Sequence, residues 1–273
     1  MELQYKREFT YNKTNILEGH PSADCYGLSF LAGDNSNIYA DLFLPKGEVK
    51  AVVLEVADYK IAPKDYLNLS RYALHGYAVC SLHVRGQIGK SSNEQSWSIY
   101  APFLENDYFL NLYQDTLDLV SILEKEFSSK KIYGFGVGQG AACLAVASAV
   151  SKKIDKLFIA NIDNCDFETI VVEDKDTGYY EPLRNYLRYN IEKEDEMFKS
   201  LEKIDVLSYA KDIEAEVYYG QSGLNPVTPL ACQNKFFDML ASKKEIKKYR
   251  KFEKEVLQEH FFDEYVLRNL AQD

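Results

Sequence analysis

The stretch Tyr133–Ala142, which reads YGFGVGQGAA, decides how the whole sequence is interpreted. The apolar run Lys131–Phe135 leads into it and predicts a buried strand, and the alanine-rich segment Gln139–Val150 predicts a helix. Glycines occupy alternate positions at their junction, which favours a sharp turn because glycine adopts positive φ without steric cost. The stretch therefore predicts a strand–turn–helix unit of the kind that repeats in α/β proteins.

Strands and helices alternate on both sides of this unit. Such alternation predicts a mostly parallel central sheet with helices on both faces, which is an α/β fold. A polar stretch at Arg85–Glu105 interrupts the alternation and predicts a long loop. The predicted strands are Ala51–Val56, Tyr77–Leu82, Lys156–Ile162, Glu216–Tyr219 and Lys247–Phe252, and the predicted helices are Pro63–His75, Tyr108–Phe127, Thr228–Ser242 and His260–Ala271.

The chain is expected to form a single domain over residues 1–273, because no linker or internal repeat divides it. Strand-like runs at Gly27–Leu31 and Asn37–Leu44, joined by a turn, predict an N-terminal antiparallel extension within residues 1–48. Residues 163–207 are rich in tyrosine and charge, and are expected to form a helical insertion over the sheet edge.

Composition excludes several classes of partner. The net charge is −10 and no block of Lys or Arg stands out, so neither nucleic acid nor an anionic membrane is an expected partner. No stretch approaches the roughly 18 apolar residues of a membrane span, and the N-terminus has no apolar signal core. The 5 cysteines are scattered without a Cys-x-x-Cys, which favours a reducing compartment over a disulfide framework or a zinc cluster. A cytoplasmic protein without metal or cofactor is predicted.

The turn Gly136–Gly140, which reads GVGQG, stands where an α/β-hydrolase carries G-x-S-x-G. In that motif the outer glycines allow close packing, and the central serine is the nucleophile in a strained backbone conformation. Gly138 occupies the position of the serine. Glycine relieves the strain, but without an Oγ no acyl-enzyme can form at this position.

The same glycines also satisfy a dinucleotide-binding pattern. Gly136-x-Gly138-x-x-Ala141 after a strand fits G-x-G-x-x-A, and Asp163 ends the next strand, where a ribose-binding acid is expected. Because such a short motif is weak evidence and the unit falls in the middle of the chain, a nucleotide-binding module is the lesser alternative.

Histidine and acid positions follow the α/β-hydrolase order of nucleophile, acid and base. Of the 4 histidines, His260 comes after the last predicted strand, where that order requires the base. His83 ends a strand and could face the same site. The acid is expected in the loop after Glu216–Tyr219, where the best candidate is Asn225. An amide cannot compensate the charge of an imidazolium, and Asn225-Pro226 is also a good turn former.

Six segments of the chain resemble motifs of a known family and occur in the same order as in that family. It is the acetyl xylan esterase / cephalosporin C deacetylase family, which is carbohydrate esterase family seven. The segments are Gly76–Val79 leading into Val84–Gln87 (VRGQ), Tyr113–Thr116 (YQDT), Gly136–Gly140 (GVGQG), Leu207–Tyr209 (LSY), Gly223–Pro229 (GLNPVTP), and Lys244–Ile246 (KEI) followed by His260.

The resemblance implies a role for each matching residue of the triad and of the oxyanion hole. His260 falls on the family's base, Gly138 on its serine and Asn225 on its aspartate. The backbone N–H of Gln139 and that of Tyr59 fall on the two oxyanion donors, although the family's H-G-Y reads Ala57-Asp58-Tyr59 here.

The resemblance further implies what surrounds the site. Arg85, Gly86 and Gln87 of the R-G-Q signature, with Gly136 and Gly140, are expected to shape it. Members of the family deacetylate small acetylated sugars and cephalosporins, use no metal, and assemble as ring-like hexamers. A small acetylated sugar or similar ester is thus implied as the ancestral ligand, and a homo-oligomer as the assembly.

Two main hypotheses for function follow. The first is a pseudoenzyme: a non-hydrolytic relative that keeps the fold and pocket. The second is an esterase with a rearranged site, in which His260 activates water directly. In that case another acid would replace Asn225, or Cys143 would serve as nucleophile. The acids considered for this role are Asp205, Asp212 and Asp238.

Overall fold

The computed structural model describes residues 2–92, 108–173, 179–250 and 259–272. Within these ranges the chain forms one mixed sheet in the order β1-β2-β3-β5-β4-β6-β7-β8-β9. The strands are β1 (Tyr11–Leu17), β2 (Ala23–Leu31), β3 (Asn37–Pro45), β4 (Ala51–Val56), β5 (Ala78–His83), β6 (Lys131–Val137), β7 (Lys156–Ala160), β8 (Glu216–Ser222) and β9 (Lys244–Tyr249).

The type of strand pairing changes once along the sheet, at β5. β1, β2, β3 and β5 pair antiparallel in sequence of position, whereas β5, β4, β6, β7, β8 and β9 pair parallel. The predicted N-terminal antiparallel extension and mostly parallel centre are confirmed. β1 was not predicted because its sequence, YNKTNIL, is largely polar and exposed and has no apolar run.

Helices cover both faces of the sheet, as predicted. α2 and α3 share one apolar core with residues such as Leu117 and Leu144. α1 and the C-terminal helical segment share the other, with Tyr72 and Val266. The helices are α1 (Tyr66–Leu74), α2 (Tyr108–Glu126), α3 (Gln139–Ser151), α4 (Phe167–Glu173), α5 (Glu181–Tyr189), α6 (Glu194–Leu201), α7 (Leu207–Ala210), α8 (Leu230–Met239) and α9 (Leu267–Gln272), the last preceded by a π-helical turn at Phe262–Val266.

Some expected boundaries differ from the structure or lie outside it. The last strand was expected at Lys247–Phe252 but runs over Lys244–Tyr249. The polar segment KEIKKY, rather than a more apolar one, pairs with β8. Residues 93–105 of the predicted loop and residues 251–252 of the predicted strand lie outside the described residues. The division into one domain with an insertion at 163–207 stays a prediction. Within the described ranges, no helix has the length and apolar character needed to cross a membrane.

The register of the central strands decides which loops meet. Val56, the last residue of β4, pairs with Gly136 of β6, and Val137 pairs with Ala160 of β7. Because parallel strands bring their carboxyl ends to one edge, the turns after β4 and β6 lie side by side there. This edge holds the candidate site.

Candidate active site

The turn between β6 and α3 has the sharp conformation that the glycine pattern predicts. Gly138 precedes the first residue of α3 with φ 57° and ψ −117°. Its N–H donates to the carbonyl of Ala160 over 2.9 Å, which fixes the turn against β7. An L-amino-acid side chain at this φ is strained, and glycine avoids that cost.

The outer glycines of the turn are required by close packing. A β carbon at Gly140 would lie 2.0 Å from the carbonyl oxygen of Val56, and one at Gly136 would lie 2.6 Å from the carbonyl carbon of Gly140. Both distances are far below van der Waals contact. α3 can therefore begin directly against the end of β4 only because these positions carry no side chain.

The two backbone donors expected to form an oxyanion hole converge on one carboxylate. Asp58 Oδ1 accepts the N–H of Tyr59 over 2.7 Å and the N–H of Gln139 over 3.0 Å. Asp58 is only 7% exposed. The loop after β4 thus reaches the N-terminus of α3, where the N–H groups and the helix dipole favour a negative charge.

Gln87 connects the R-G-Q segment to both sides of this arrangement. Its Nε2 donates to Gln139 Oε1 and to the hydroxyl of Tyr108, each over 2.8 Å. Its Oε1 accepts the backbone N–H of Lys60 over 2.8 Å. Gly86, with φ 62°, makes the bend that directs Gln87 inward. That the R-G-Q segment shapes an active site stays a prediction.

Arg85, in contrast, points into the protein interior. Its guanidinium makes a bidentate pair with Asp115, at 2.6 and 2.7 Å, and a further bond to Asp34 at 2.6 Å. Burial opposes the charge on Arg85, but the hydrogen bonds that it donates to the two carboxylates, and their negative charges, raise its pKa. This side chain joins β5, α2 and the β2–β3 turn, and so supports the loop that carries Gln87.

Asn225 is engaged within its own loop. Its Oδ1 accepts the backbone N–H of Val227 over 3.0 Å, which is a side-chain-closed turn. Its Nδ2 is buried and has no hydrogen-bond partner among the described residues. The turn-forming interpretation of Asn225 therefore accounts for its oxygen.

His260 lies at the start of the C-terminal helical segment. Its side chain is 46% exposed, and Nδ1 lies 4.0 Å from Glu264 Oε1. The next residue, Phe261, is buried and packs against Gly220 of β8. The structure thus brings the N–H groups of Tyr59 and Gln139 together on Asp58, with Gln87 bound to the side chain of Gln139.

His83, the other histidine considered for the site, ends β5 and binds both β3 and the loop that follows β5. Its Nδ1 accepts the backbone N–H of Lys90, and its Nε2 therefore carries the proton and donates to Asp41 Oδ2, both over 3.0 Å. The whole residue is only 5% exposed. These contacts give His83 a structural role.

The acids considered as substitutes for Asn225 are placed differently from a triad acid. Asp205 accepts three backbone N–H groups, from Asp166, Phe167 and Leu207, and so caps helix starts. Asp212 and Asp238 are exposed.

Cys143, the alternative nucleophile, is fully buried on α3. Burial raises the pKa of its thiol. Because the thiolate is the reactive form, this environment does not favour attack on an ester.

A mixed sheet whose central strand passes through a sharp glycine turn into a buried helix is the arrangement found in α/β-hydrolases. The chain matches the family profile described as Acetyl xylan esterase (AXE1) over residues 2–270. It therefore belongs to the acetyl xylan esterase family. Asp163, the acid of the dinucleotide-binding alternative, is buried and accepts the hydroxyl of Thr228 over 2.9 Å.

Solved structures with the same fold include two acetyl xylan esterases. Acetyl xylan esterase 1 from a Thermoanaerobacterium species has a TM-score of 0.87 at 22% identity, covering 97% of this chain and 88% of that one. The acetyl xylan esterase from a Paenibacillus species has a TM-score of 0.87 at 19% identity, covering 98% and 90%. The acylaminoacyl peptidase of Pyrococcus horikoshii is more distant, with a TM-score of 0.67 at 16% identity, covering 92% of this chain and 41% of that one.

Proposed function

We propose that this chain is a non-hydrolytic member of the acetyl xylan esterase family. The observation that carries the proposal is Gly138, which stands at the tip of the strand–turn–helix unit with φ 57°. The frame that would present a serine is retained, and the hydroxyl is missing. Removing the nucleophile of a comparable triad enzyme costs about 10⁶ in turnover.

The acid position supports the same proposal. Asn225 is neutral, and its oxygen is bound to the backbone of Val227. A triad acid orients the histidine and compensates its positive charge during the reaction. An amide provides no such charge, so two of the three triad functions are absent at the positions that the family pattern assigns.

The ligand and assembly are proposed from the family resemblance. A small acetylated sugar, or a similar ester, is the ligand for which the site frame evolved. A cytoplasmic homo-oligomer that uses neither metal nor cofactor is the form in which we expect the protein to act. Binding of such a ligand, or association with a partner subunit, would then be its role.

Release of acetate from acetylated xylo-oligosaccharides tests the proposal. We expect the native chain to release no more acetate than the same chain after heat denaturation. Acetate release that depends on the native fold and saturates with substrate would contradict the proposal. Retention of the acetylated sugar by the chain in equilibrium dialysis would support the ligand class.

A further inference from the structure

One carboxylate oxygen of Asp58 accepts hydrogen bonds from both backbone N–H groups that are assigned to the oxyanion hole. β4 and β6 are parallel neighbours in the register Val56↔Gly136, so the residues that follow each strand emerge together. Asp58 comes two residues after Val56, and Gln139 comes three residues after Gly136. Distances of 2.7 Å to Tyr59 N and 3.0 Å to Gln139 N put Asp58 Oδ1 at the point where the two N–H groups converge.

We propose that Asp58 is an internal ligand of the oxyanion hole. Its Oδ1 occupies the position that the carbonyl oxygen of an ester would need, so the hole is closed to substrate independently of the missing serine. This inference rests on the assignment of Tyr59 and Gln139 as oxyanion donors in the proposed function. It adds the oxyanion hole to the two triad positions, Gly138 and Asn225, that differ from the family pattern.

Physical chemistry favours the internal carboxylate over an ester. Hydrogen bonds to a carboxylate are roughly twice as strong as those to a neutral acceptor. The N-terminus of α3, a helix of 13 residues, further favours a negative charge. Asp58 is also tethered, which gives it an effective concentration of about millimolar or more. A neutral ester carbonyl arriving from solution therefore binds the two N–H groups less favourably than Asp58 does.

The loop around Asp58 is held in place from both sides. The backbone carbonyl of Asp58 accepts the N–H of Ile61 over 3.0 Å. The N–H of Lys60, a residue with φ 58°, donates to Gln87 Oε1. Gln87 in turn binds the side chain of Gln139. The same network that positions the two donors thus also fixes the carboxylate between them.

Substitutions of Asp58 change what the two N–H groups can bind. Asp58→Ala leaves two convergent N–H groups without their acceptor, and a small carboxylate such as acetate can then bind them. Asp58→Asn keeps an acceptor oxygen of the same size and removes only the charge, so it is the matched control. Asp58→Gly, the residue that the family pattern has there, is the second variant if Asp58→Ala does not fold.

The test is a titration of the ¹⁵N-labelled chain with sodium acetate, followed through the amide resonances of Tyr59 and Gln139. We expect both resonances to move saturably in Asp58→Ala and in Asp58→Gly, to move only at higher acetate concentrations in Asp58→Asn, and to stay fixed in the native chain. Saturable movement of both resonances in the native chain would overturn the inference, because the hole would then be open. Fixed resonances in folded Asp58→Ala and Asp58→Gly would overturn it as well, since the two N–H groups would not form an anion site.

This readout is independent of catalysis. Binding of acetate to two backbone N–H groups requires neither a nucleophile nor His260. Hydrolysis by the native chain would refute the proposed function, whereas only the amide titration decides whether Asp58 occupies the hole.

Discussion

Gly140 and Val56 are in such close contact that a β carbon on Gly140 would lie 2.0 Å from the carbonyl oxygen of Val56. This contact joins the first turn of α3 to the end of β4. It brings the loop after β4 to the helix N-terminus, and so allows Asp58 to reach Gln139. The geometry of the candidate site therefore depends on the absence of a side chain at position 140.

Gly140→Ala tests that dependence. Overpacking of a rigid interior typically costs about 1–3 kcal/mol, and a backbone oxygen at this distance places the substitution at the upper end of that range. We expect the free energy of unfolding, measured by urea denaturation, to fall by about 3 kcal/mol. The matched control is Gly47→Ala, where a β carbon meets nothing within 4 Å. Equal stabilities of the two variants would contradict the packing argument.

His83→Ala tests the structural role assigned to this histidine. The substitution removes the donor to the buried Asp41 and leaves that carboxyl group without its imidazole partner. Because an unsatisfied buried polar group costs about 1–3 kcal/mol, we expect a loss of about 2 kcal/mol in urea denaturation. The control is His75→Ala, at an exposed position at the end of α1. A loss no larger than that of the control would refute the assignment.

Glu124 provides a prediction for pH dependence. Burial raises the pKa of Glu124, but hydrogen bonds from Lys6, Tyr5 and Lys153 outweigh it and lower the pKa to about 2. A folded-state pKa below the unfolded value of about 4.3 contributes stability that is present above pH ~4.3 and is lost as the pH falls towards 2.

We therefore expect Glu124→Gln to lower the free energy of unfolding by about 1 kcal/mol at pH 7, since the group is partly exposed. The difference from the native chain should shrink steadily as the pH is lowered below ~4. Glu18→Gln, at an exposed position after β1, serves as the control. A difference that grows on acidification would show that the sign of the argument is wrong.

Asp58→Gly should also matter for hydrolysis once the triad is rebuilt. In the background Gly138→Ser/Asn225→Asp, we expect the added Asp58→Gly to raise p-nitrophenyl acetate hydrolysis by about 10²-fold, because one oxyanion donor is worth about 10²–10³ in kcat. Adding Asp58→Asn instead should give no increase. If Asp58→Gly leaves the rate of the rebuilt background unchanged, the carboxylate is not what blocks the hole.

The alternation of apolar strand-like runs with helical segments was enough to locate most strands of the parallel part of the sheet. β4, β5, β6 and β7 are apolar, buried on both faces and bounded by turn residues, so they could be located directly. β1 and β9 could not be placed correctly in the same way. They are edge strands with exposed polar side chains, and pairing with a neighbour selects them more than their own composition does.

The sharp turn between β6 and α3 was also predictable, because the alternating glycines around Gly138 indicate a backbone with positive φ. The position of the Asp58 carboxylate was not predictable. The departure of Ala57-Asp58-Tyr59 from the family pattern was visible in the sequence, but it did not show that Asp58 points at Gln139. That contact arises from the register of β4 against β6, which is a long-range property of the fold.

The central claim is that the chain keeps the esterase frame without its chemistry, and p-nitrophenyl acetate hydrolysis by the native chain and by His260→Ala tests it most directly. His75→Ala, the matched exposed histidine, measures the background reactivity of a surface imidazole. A general base contributes about 10²–10⁴-fold to a rate. We predict that the native chain, His260→Ala and His75→Ala hydrolyse the ester at the same rate. A native chain that is about 10²-fold or more faster than His260→Ala, with His75→Ala unaffected, would contradict the account.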